Sequence, residues 1–498
     1  MKKGIVMKLS EKREKKFTSF KRSTLAQRLA RLTRICENMD IAVLIMVDGF
    51  ESSGRGYVIN DICSKLNPKY YDVEVFENKE EYEDKFPTMK RFFENTPQNG
   101  HIKIFAQSFY YKLFNDLDID EESLSLRIES MKKHEKMLYD SKMIIVKIFL
   151  NIDQKTQEER MRVSEKSTSG HFYISSVDKK QNKNYEAYKK NFEKILNATN
   201  FPTSPWHIID SIDKKDASKE ALGLLLDEIS MGIERVGIQI KDEENIERDY
   251  EAKTSILSNI NLEKTIADEE YKKEKKALQK QIRDMAFEYY QRGISTILVF
   301  EGVDAAGKDG AIERLVKKID PRLYKVFAIS APSKYELAHH YLRRFYKDLA
   351  EDGYLAIFSR SWYGRVMVER IEGFAKTCEW NRAYDEILAM EKEIYNHGSL
   401  ILKFFVSIDK DEQYKRFKAR ENTPDKLYKI TDEDWRNRAK WDEYIKAMDE
   451  MLARTNKAYA PWIIVEGKDK KYARIKVMKE YLKYAKAHLE DMDKKNNK

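Results

Sequence analysis

The chain has 498 residues, of which 93 are Lys or Arg and 84 are Asp or Glu, a formal net charge of +9. Gly and Pro are sparse and aromatic residues plentiful, which excludes a fibrous or disordered chain and points to a helix-rich globular protein. The length allows roughly two to four domains. The basic excess suits an anionic ligand, or simply a heavily charged surface. Cys36, Cys63 and Cys378 are dispersed and odd in number, which argues against a disulfide framework or zinc site and for a reducing cytoplasm. No apolar run is long enough to span a membrane, and Met1–Lys8 is too briefly apolar for a signal peptide.

Residues 1–21 read as a basic, solvated tail. Arg22–Glu37 reads as an amphipathic helix with Leu25, Leu29, Leu32 and Ile35 on one face. The apolar run Ile41–Val47 reads as a buried strand, ending in the loop Asp48–Gly56. This loop returns downstream at an offset of 253 residues (304 − 51). Gly49 matches Gly302, Glu51 matches Asp304, Gly54 matches Gly307, and Arg55 stands where Lys308 stands. At the same offset Arg91-Phe92 matches Arg344-Phe345, Gly100 matches Gly353, and Ser108-Phe109-Tyr110 matches Ser361-Trp362-Tyr363. Further on the offset becomes 256 (403 − 147), pairing Lys147 with Lys403, Ile152-Asp153 with Ile408-Asp409, Gln157 with Gln413 and Pro205-Trp206 with Pro461-Trp462. A fixed offset over so many positions marks two tandem copies of one domain.

Each copy alternates strand and helix, which predicts a parallel sheet flanked by helices. The first copy is expected over 22–231, a polar linker over 232–270, and the second copy over 271–498. In the second copy the strands are expected at Ile297–Phe300, Lys325–Ile329, Leu355–Phe358, Leu400–Val406 and Trp462–Val465. Its first strand runs into Glu301-Gly302-Val303-Asp304-Ala305-Ala306-Gly307-Lys308-Asp309-Gly310, and a helical pattern follows. Strand, glycine turn, lysine and helix is the layout of a phosphate-binding loop. Gly302, Ala305, Ala306, Gly307, Asp309 and Gly310 are its expected backbone cradle, and Lys308 its phosphate-gripping cation. A carboxylate in such a loop makes sense chiefly through magnesium, so Asp304 is the expected metal ligand. Asp309 stands where nucleotide-binding loops carry Ser or Thr. The first copy has Arg55 for Lys308 and Ala106-Gln107 for Ser359-Arg360. It is therefore expected to be structural or a dimerisation surface, with residual anion binding as the alternative.

Phe358–Arg365 ends another strand. Arg360 and Arg365 are placed to hold a transferring phosphate, and Trp362 and Tyr363 either wall the site or belong to the core. A basic helical stretch from Tyr414 to Lys440 follows the strand ended by Asp409. Its default reading is a solvated face, but a subset could form a mobile lid, with Arg416, Arg420, Lys429 and Arg438 the expected contacts.

The motifs Gly302–Lys308, Ser361-Trp362-Tyr363 and Tyr459-Ala460-Pro461-Trp462 resemble the polyphosphate kinase 2 family. Ser361–Phe374 resembles its AMP-phosphorylating branch, in which two family domains share one chain and the first loop is decayed. The resemblance implies a P-loop, thymidylate-kinase-like fold with a helical lid in each copy. It also implies Mg2+-dependent transfer of the terminal phosphoryl group of inorganic polyphosphate to AMP, giving ADP. By position it assigns Asp304 to magnesium, Lys308 to phosphate, Arg360 and Arg365 to the transferring group, and Lys325, with Arg344, to the nucleotide side. The implied partners are polyphosphate and AMP/ADP, with neither nucleic acid nor membrane, and a homo-oligomer is allowed. Ser359 departs from the family's usual Asp; its hydroxyl is expected to serve the metal in an active but slower enzyme that Ser359→Asp would speed up. A polyphosphate-dependent nucleoside diphosphate kinase and a weakly active polyphosphate-binding protein are the alternatives. An ATP-dependent nucleotide kinase is disfavoured by the missing Ser/Thr after Lys308.

Overall fold

The computed structural model describes residues 6–76, 85–166, 174–243, 255–424 and 430–496. The chain divides into two units, the first from Met1–Lys79, Arg91–Asn245 and Lys334–His340, the second from Glu80–Lys90, Ile246–Ser333 and Tyr341–Lys498.

The first unit holds β1 (Val43–Gly49), β2 (Tyr71–Val75), β3 (Ile102–Ala106), β4 (Ile144–Asn151) and β5 (Trp206–Asp210) in a parallel sheet of order β2-β3-β1-β4-β5. Its named helices are α1 (Arg22–Asn38), α2 (Arg55–Cys63), α3 (Glu121–Asp140), α4 (Gln154–Glu165) and α5 (Lys214–Glu243). The central strands are apolar runs interrupted only by buried Asp48 in β1 and Lys147 and the terminal Asn151 in β4, because helices cover both faces of the sheet. In α1 the buried face is Leu25, Ala26, Leu29, Ala30 and Cys36, while Ile35 is 45% exposed. The face is rotated from the Leu-Ile stripe because small side chains let α1 lie close to α5.

The basic N-terminal segment is not a free tail. Leu9 is buried, its amide donates to Glu193 at 2.7 Å, and the amide of Phe17 donates to Glu220 at 2.7 Å. The Phe17 ring lies against Gly223 of α5 so closely that a Cβ there would sit 2.1 Å from Phe17 Cγ. Two isolated apolar side chains in a basic stretch are enough to pin it. The expected linker is also partly helical: α5 runs to Glu243, and a helix labelled α6 (Asp268–Gln291) begins before its end.

The second unit repeats the plan. Its strands are β6 (Thr296–Gly302), β7 (Tyr324–Ala328), β8 (Leu355–Ser359), β9 (Leu400–Ser407) and β10 (Trp462–Glu466), parallel in the order β10-β9-β6-β8-β7. Its named helices are α7 (Lys308–Val316), α8 (Thr377–Asn396), α9 (Lys410–Glu421), α10 (Asp432–Ala439), α11 (Trp441–Thr455) and α12 (Lys470–Asn496). Both units carry one fully buried ion pair at matching positions. Lys147 Nζ lies 3.0 Å from Glu135, and Lys403 Nζ lies 2.8 Å from Glu391. Each ammonium also donates to a backbone carbonyl, that of Thr199 or Thr455, at 2.9 Å. Trp362 and Tyr363 belong to this core: Trp362 Nε1 and Tyr363 Oη donate to Glu391 at 3.2 and 2.7 Å. Among the described residues no helix is long and apolar enough to cross a membrane.

Candidate active site

In the second unit β6 and β8 end side by side, with Phe300 opposite Ser359, and deliver the phosphate loop and the Ser359-Arg360 pair to one edge of the sheet. That is the carboxyl edge, where parallel sheets bind ligands. The glycines of the loop have different reasons. A Cβ on Gly302 would meet the Val406 carbonyl oxygen at 2.2 Å, so this glycine lets β6 and β9 approach. Gly307 has φ 113° and caps α7 in a left-handed conformation. Ala305 and Arg360, neither a glycine, hold φ of 62° and 63°. Strain at two adjoining positions is typical of functional loops. The first unit repeats it at Ser52 (57°) and Gln107 (78°), so the duplicated backbone has outlasted the side chains.

Asp304 is the electrostatic centre. One carboxylate oxygen accepts from Arg360 Nη2 at 3.0 Å and the other from Asn437 Nδ2 at 2.9 Å. Burial pushes its pKa up, but Lys308 and Arg360 outweigh that and hold the carboxyl below its ordinary value. Lys308 Nζ donates to the Gly302 carbonyl at 2.7 Å, folded back onto the loop. Burial lowers the Lys308 pKa, opposed by Asp304. Arg360 also faces Glu433 at 3.6 Å. Behind the loop, buried Glu301 accepts from Ser361 Oγ at 2.7 Å, and burial raises its pKa. Beside Asp304 lies a cavity. Gly302, Asp304, Arg360, Glu433 and Asn437 form its polar side, and Met367, Val368, Trp441 and Met448 its apolar side.

The structure places the other expected residues less uniformly. Ser359 Oγ donates to Asp309 at 2.8 Å. Gly310 lies in the first turn of α7, close to Arg474. Arg416 is not a lid cation: it is 6% exposed and fixed beneath the loop. Its guanidinium donates to the carbonyls of Ala305, Ala306, Gly467 and Lys468 at 2.8–3.1 Å. Arg438 ties α10 to α9, sitting over Tyr414 and donating to Gln413 at 3.2 Å. Arg420 is half-buried in the last turn of α9. Lys429 lies outside the described residues. Arg365 pairs with Glu369 at 3.1 Å and stacks on Tyr341, away from the cavity lining. Arg344 donates to the Ser330 carbonyl at 3.2 Å. Lys325 is on edge strand β7, level with Ile297 through Ala356. That register is five residues, roughly 16 Å of strand, before Gly302, so the structure does not bring Lys325 to the phosphate loop.

Four residues around Asp304 escaped the sequence reading: Glu301, Gln413, Glu433 and Asn437. Gln413 Nε2 donates to the Asp304 carbonyl at 3.2 Å. Its match to Gln157 was the available signal, and Gln157 makes the equivalent bond to Glu51 at 3.1 Å. The first unit also has its own arginine clamp, Arg160 donating to the carbonyls of Ser52, Ser53, Ser211 and Ile212. In that unit Arg55 closes on Glu51.

Among the described residues no three His, Cys, Asp or Glu side chains converge, so a cation here would have to be shared with ligand oxygens. Asp304, Asp309 and Ser359 offer hard oxygen donors of the kind magnesium uses together with phosphates.

Comparison with known proteins bears on the whole chain. The family model for polyphosphate kinase 2 matches residues 10–235 and again 265–495. A polyphosphate:AMP phosphotransferase from Acinetobacter johnsonii is 35% identical over 451 residues, covering 90% of this chain and 91% of its own. One from Pseudomonas aeruginosa is 33% identical over 448 residues, covering 88% and 89%. A crystal structure from Pseudomonas aeruginosa described as polyphosphate kinase 2 superposes with a TM-score of 0.80 at 30% identity, over 94% of this chain and 95% of that one.

Proposed function

The chain belongs to the polyphosphate kinase 2 family, and on that premise we propose that its second unit moves the terminal phosphoryl group of inorganic polyphosphate to AMP, forming ADP. The observation that carries this reading is the convergence of Asp304, Lys308 and Arg360 on one strained loop beside a cavity with an apolar wall. The loop suits phosphates, and the Trp441–Met448 side suits a base or ribose. AMP is the favoured acceptor because the relatives that match both units are polyphosphate:AMP phosphotransferases.

An oxygen of the AMP phosphate attacks the terminal phosphorus of polyphosphate in line. The new P–O bond forms as the bond to the bridging oxygen breaks, leaving ADP and a polyphosphate one unit shorter. This chemistry asks the protein mainly for position and charge. Lys308 exchanges its bond to Gly302 for a phosphoryl oxygen. Arg360 turns from Asp304 towards the transferring group. Arg416 keeps the Ala305 and Ala306 carbonyls fixed so the loop amides stay aimed. Glu433 and Asn437 on α10 close the site, and Arg438 anchors that helix. Mg2+, held by Asp304, would offset the phosphate charge during transfer. The first unit, residues 22–231, serves as a structural copy, and 271–498 is the catalytic portion. The protein works in the cytoplasm, where its three free cysteines stay reduced.

The test is ADP formation from AMP, long-chain polyphosphate and Mg2+ without ATP, alongside Lys308→Ala. Activity lost on that substitution is expected. ATP from ADP but no ADP from AMP would replace the acceptor; silence with both, while polyphosphate binds, would leave a binding protein.

A further inference from the structure

The Asp304 carboxylate has two side-chain donors, Arg360 on Oδ1 at 3.0 Å and Asn437 on Oδ2 at 2.9 Å. When Arg360 turns to the transferring group, Asn437 is the one that stays. Asn437 sits on α10, a helix of eight residues with none buried. So short a helix has little stability of its own. Trp435 rests edge-on against Tyr414 and Phe417 of α9, and polar contacts add to that hold. α11 is better rooted, with Ala447, Met448, Met451 and Leu452 buried and Glu450 paired to Arg370 at 2.8 Å. Tyr444 lies in its first turn, 7% exposed, and its hydroxyl donates to Asn437 Oδ1 at 3.0 Å. An ionised carboxylate only accepts, so the amide satisfies both neighbours in one orientation, Oδ1 to the hydroxyl and Nδ2 to Asp304. Glu372 fastens the corner between the two helices. It accepts from Lys440 at 3.2 Å, pairs with Arg436 at 3.2 Å and lies 3.5 Å from the Tyr444 hydroxyl. The first unit is wired differently. At the offset of 256 (444 − 188), Gln181 and Tyr188 stand for Asn437 and Tyr444. Gln181 meets Glu51 through the backbone, accepting from its amide at 2.7 Å. Among the described residues neither the Glu51 carboxylate nor the Tyr188 hydroxyl bonds to Gln181. The tyrosine is present in both copies, but its hydroxyl is tied to the loop carboxylate only in the copy that has Lys308 and Arg360.

We propose that Tyr444 is a positioning residue for phosphoryl transfer: through Asn437 it holds the Asp304 carboxylate in place once Arg360 has left it. The inference rests on reading the loop as the phosphoryl-transfer site. Without the hydroxyl, the Asn437 amide loses the partner on its oxygen and is free to turn away from Asp304. The carboxylate then has no fixed donor at the moment the phosphoryl group moves. Misplacing a group by about 1 Å in such a site costs up to about a hundredfold in rate. Because the tether matters when Arg360 is engaged elsewhere, its loss falls on kcat and leaves KM nearly unchanged. Y444F keeps the ring, and with it the part of the cavity wall that Tyr444 contributes.

A double-mutant cycle in the full chain tests this, read as ADP formed from AMP and long-chain polyphosphate. Y444F is expected to lower kcat about tenfold, with KM for either substrate within about twofold. N437A should lower kcat at least as much. Since Tyr444 acts through Asn437, the pair Y444F/N437A should be no slower than N437A alone. Thermal melts confirm that each variant is folded. Should Y444F fail to fold, E372Q takes its place in the cycle, because it loosens the corner that seats Tyr444. It is expected to lower kcat without raising KM and to add nothing to N437A. Unchanged kcat, a change confined to KM, or losses that add in the pair overturn the role of Tyr444. No ADP from the unaltered chain, or full activity in K308A, overturns it together with the reading on which it rests.

Discussion

Glu51 holds Arg55 at 2.5 Å, in the positions that Asp304 and Lys308 fill in the second unit. The Arg55 guanidinium is deeply buried, and Glu51 and Asp48 keep it charged against the cost of burial. The position that holds a lysine in the second unit's loop holds an arginine paired with its own loop's carboxylate in the first. Lys308→Ala should therefore lower kcat by at least about a hundredfold to a thousandfold, while Arg55→Ala leaves kcat unchanged and lowers only the first unit's melting temperature. Steady-state kinetics of both variants check this; comparable losses would mean that the first unit takes part in transfer.

Arg416 and Arg160 make a second matched pair with different stakes. Each donates to four backbone carbonyls, two on its loop and two beyond the last strand of its sheet. A lysine cannot reproduce that planar fork. Arg416→Lys should reduce kcat/KM for polyphosphate by tenfold or more, about 1.4 kcal/mol. Arg160→Lys should cost stability of similar size and no activity. Kinetics joined to thermal melts separate the two effects.

Asp304 has a defined pH signature. Its carboxyl is held below its ordinary value of 3.8 by Lys308 and Arg360, although burial pushes it up. Folding thus favours the ionised form, so the stabilisation is complete above 3.8 and is lost as pH falls through the depressed value. The melting temperature lost in Asp304→Asn should be the same at about pH 7 and pH 5 and shrink only in stronger acid. A loss that already fades near pH 5 would show that the two cations do not hold this carboxylate.

The pair Lys403–Glu391 tests the core. Burial drives the Lys403 pKa down and Glu391 opposes it. Lys403→Met strands a carboxylate that still accepts from Trp362 and Tyr363, and should cost about 3–5 kcal/mol. The urea midpoint of the second unit reads this directly. Lys147→Met should do the same to the first unit.

The loops and the duplication were legible in the sequence because glycine spacing, β-branched strands and a constant offset are local signs. The placement of Arg360 beside the loop was legible for the same reason, since it directly follows a strand. The role of Arg416 was not: its partners are backbone carbonyls, which leave no mark on residue identity. Asn437 was hidden because its counterpart, Gln181, differs in type and lies in a helix without a motif. The distance of Lys325 from the loop was not legible, because motif proximity says nothing of strand register. The N-terminal segment was misread because only Leu9 and Phe17 anchor it among many charges.

The twin lysine–glutamate pairs also bear on how the two copies diverged. No single substitution removes either pair cheaply, since each route passes through one buried, uncompensated charge. Each pair thereby locks the core of its own unit. The first unit's loop is under no such restraint, because Glu51 and Arg55 satisfy each other. A lineage that ever dispensed with the first copy's buried pair would be expected to shed that whole copy rather than reshape it.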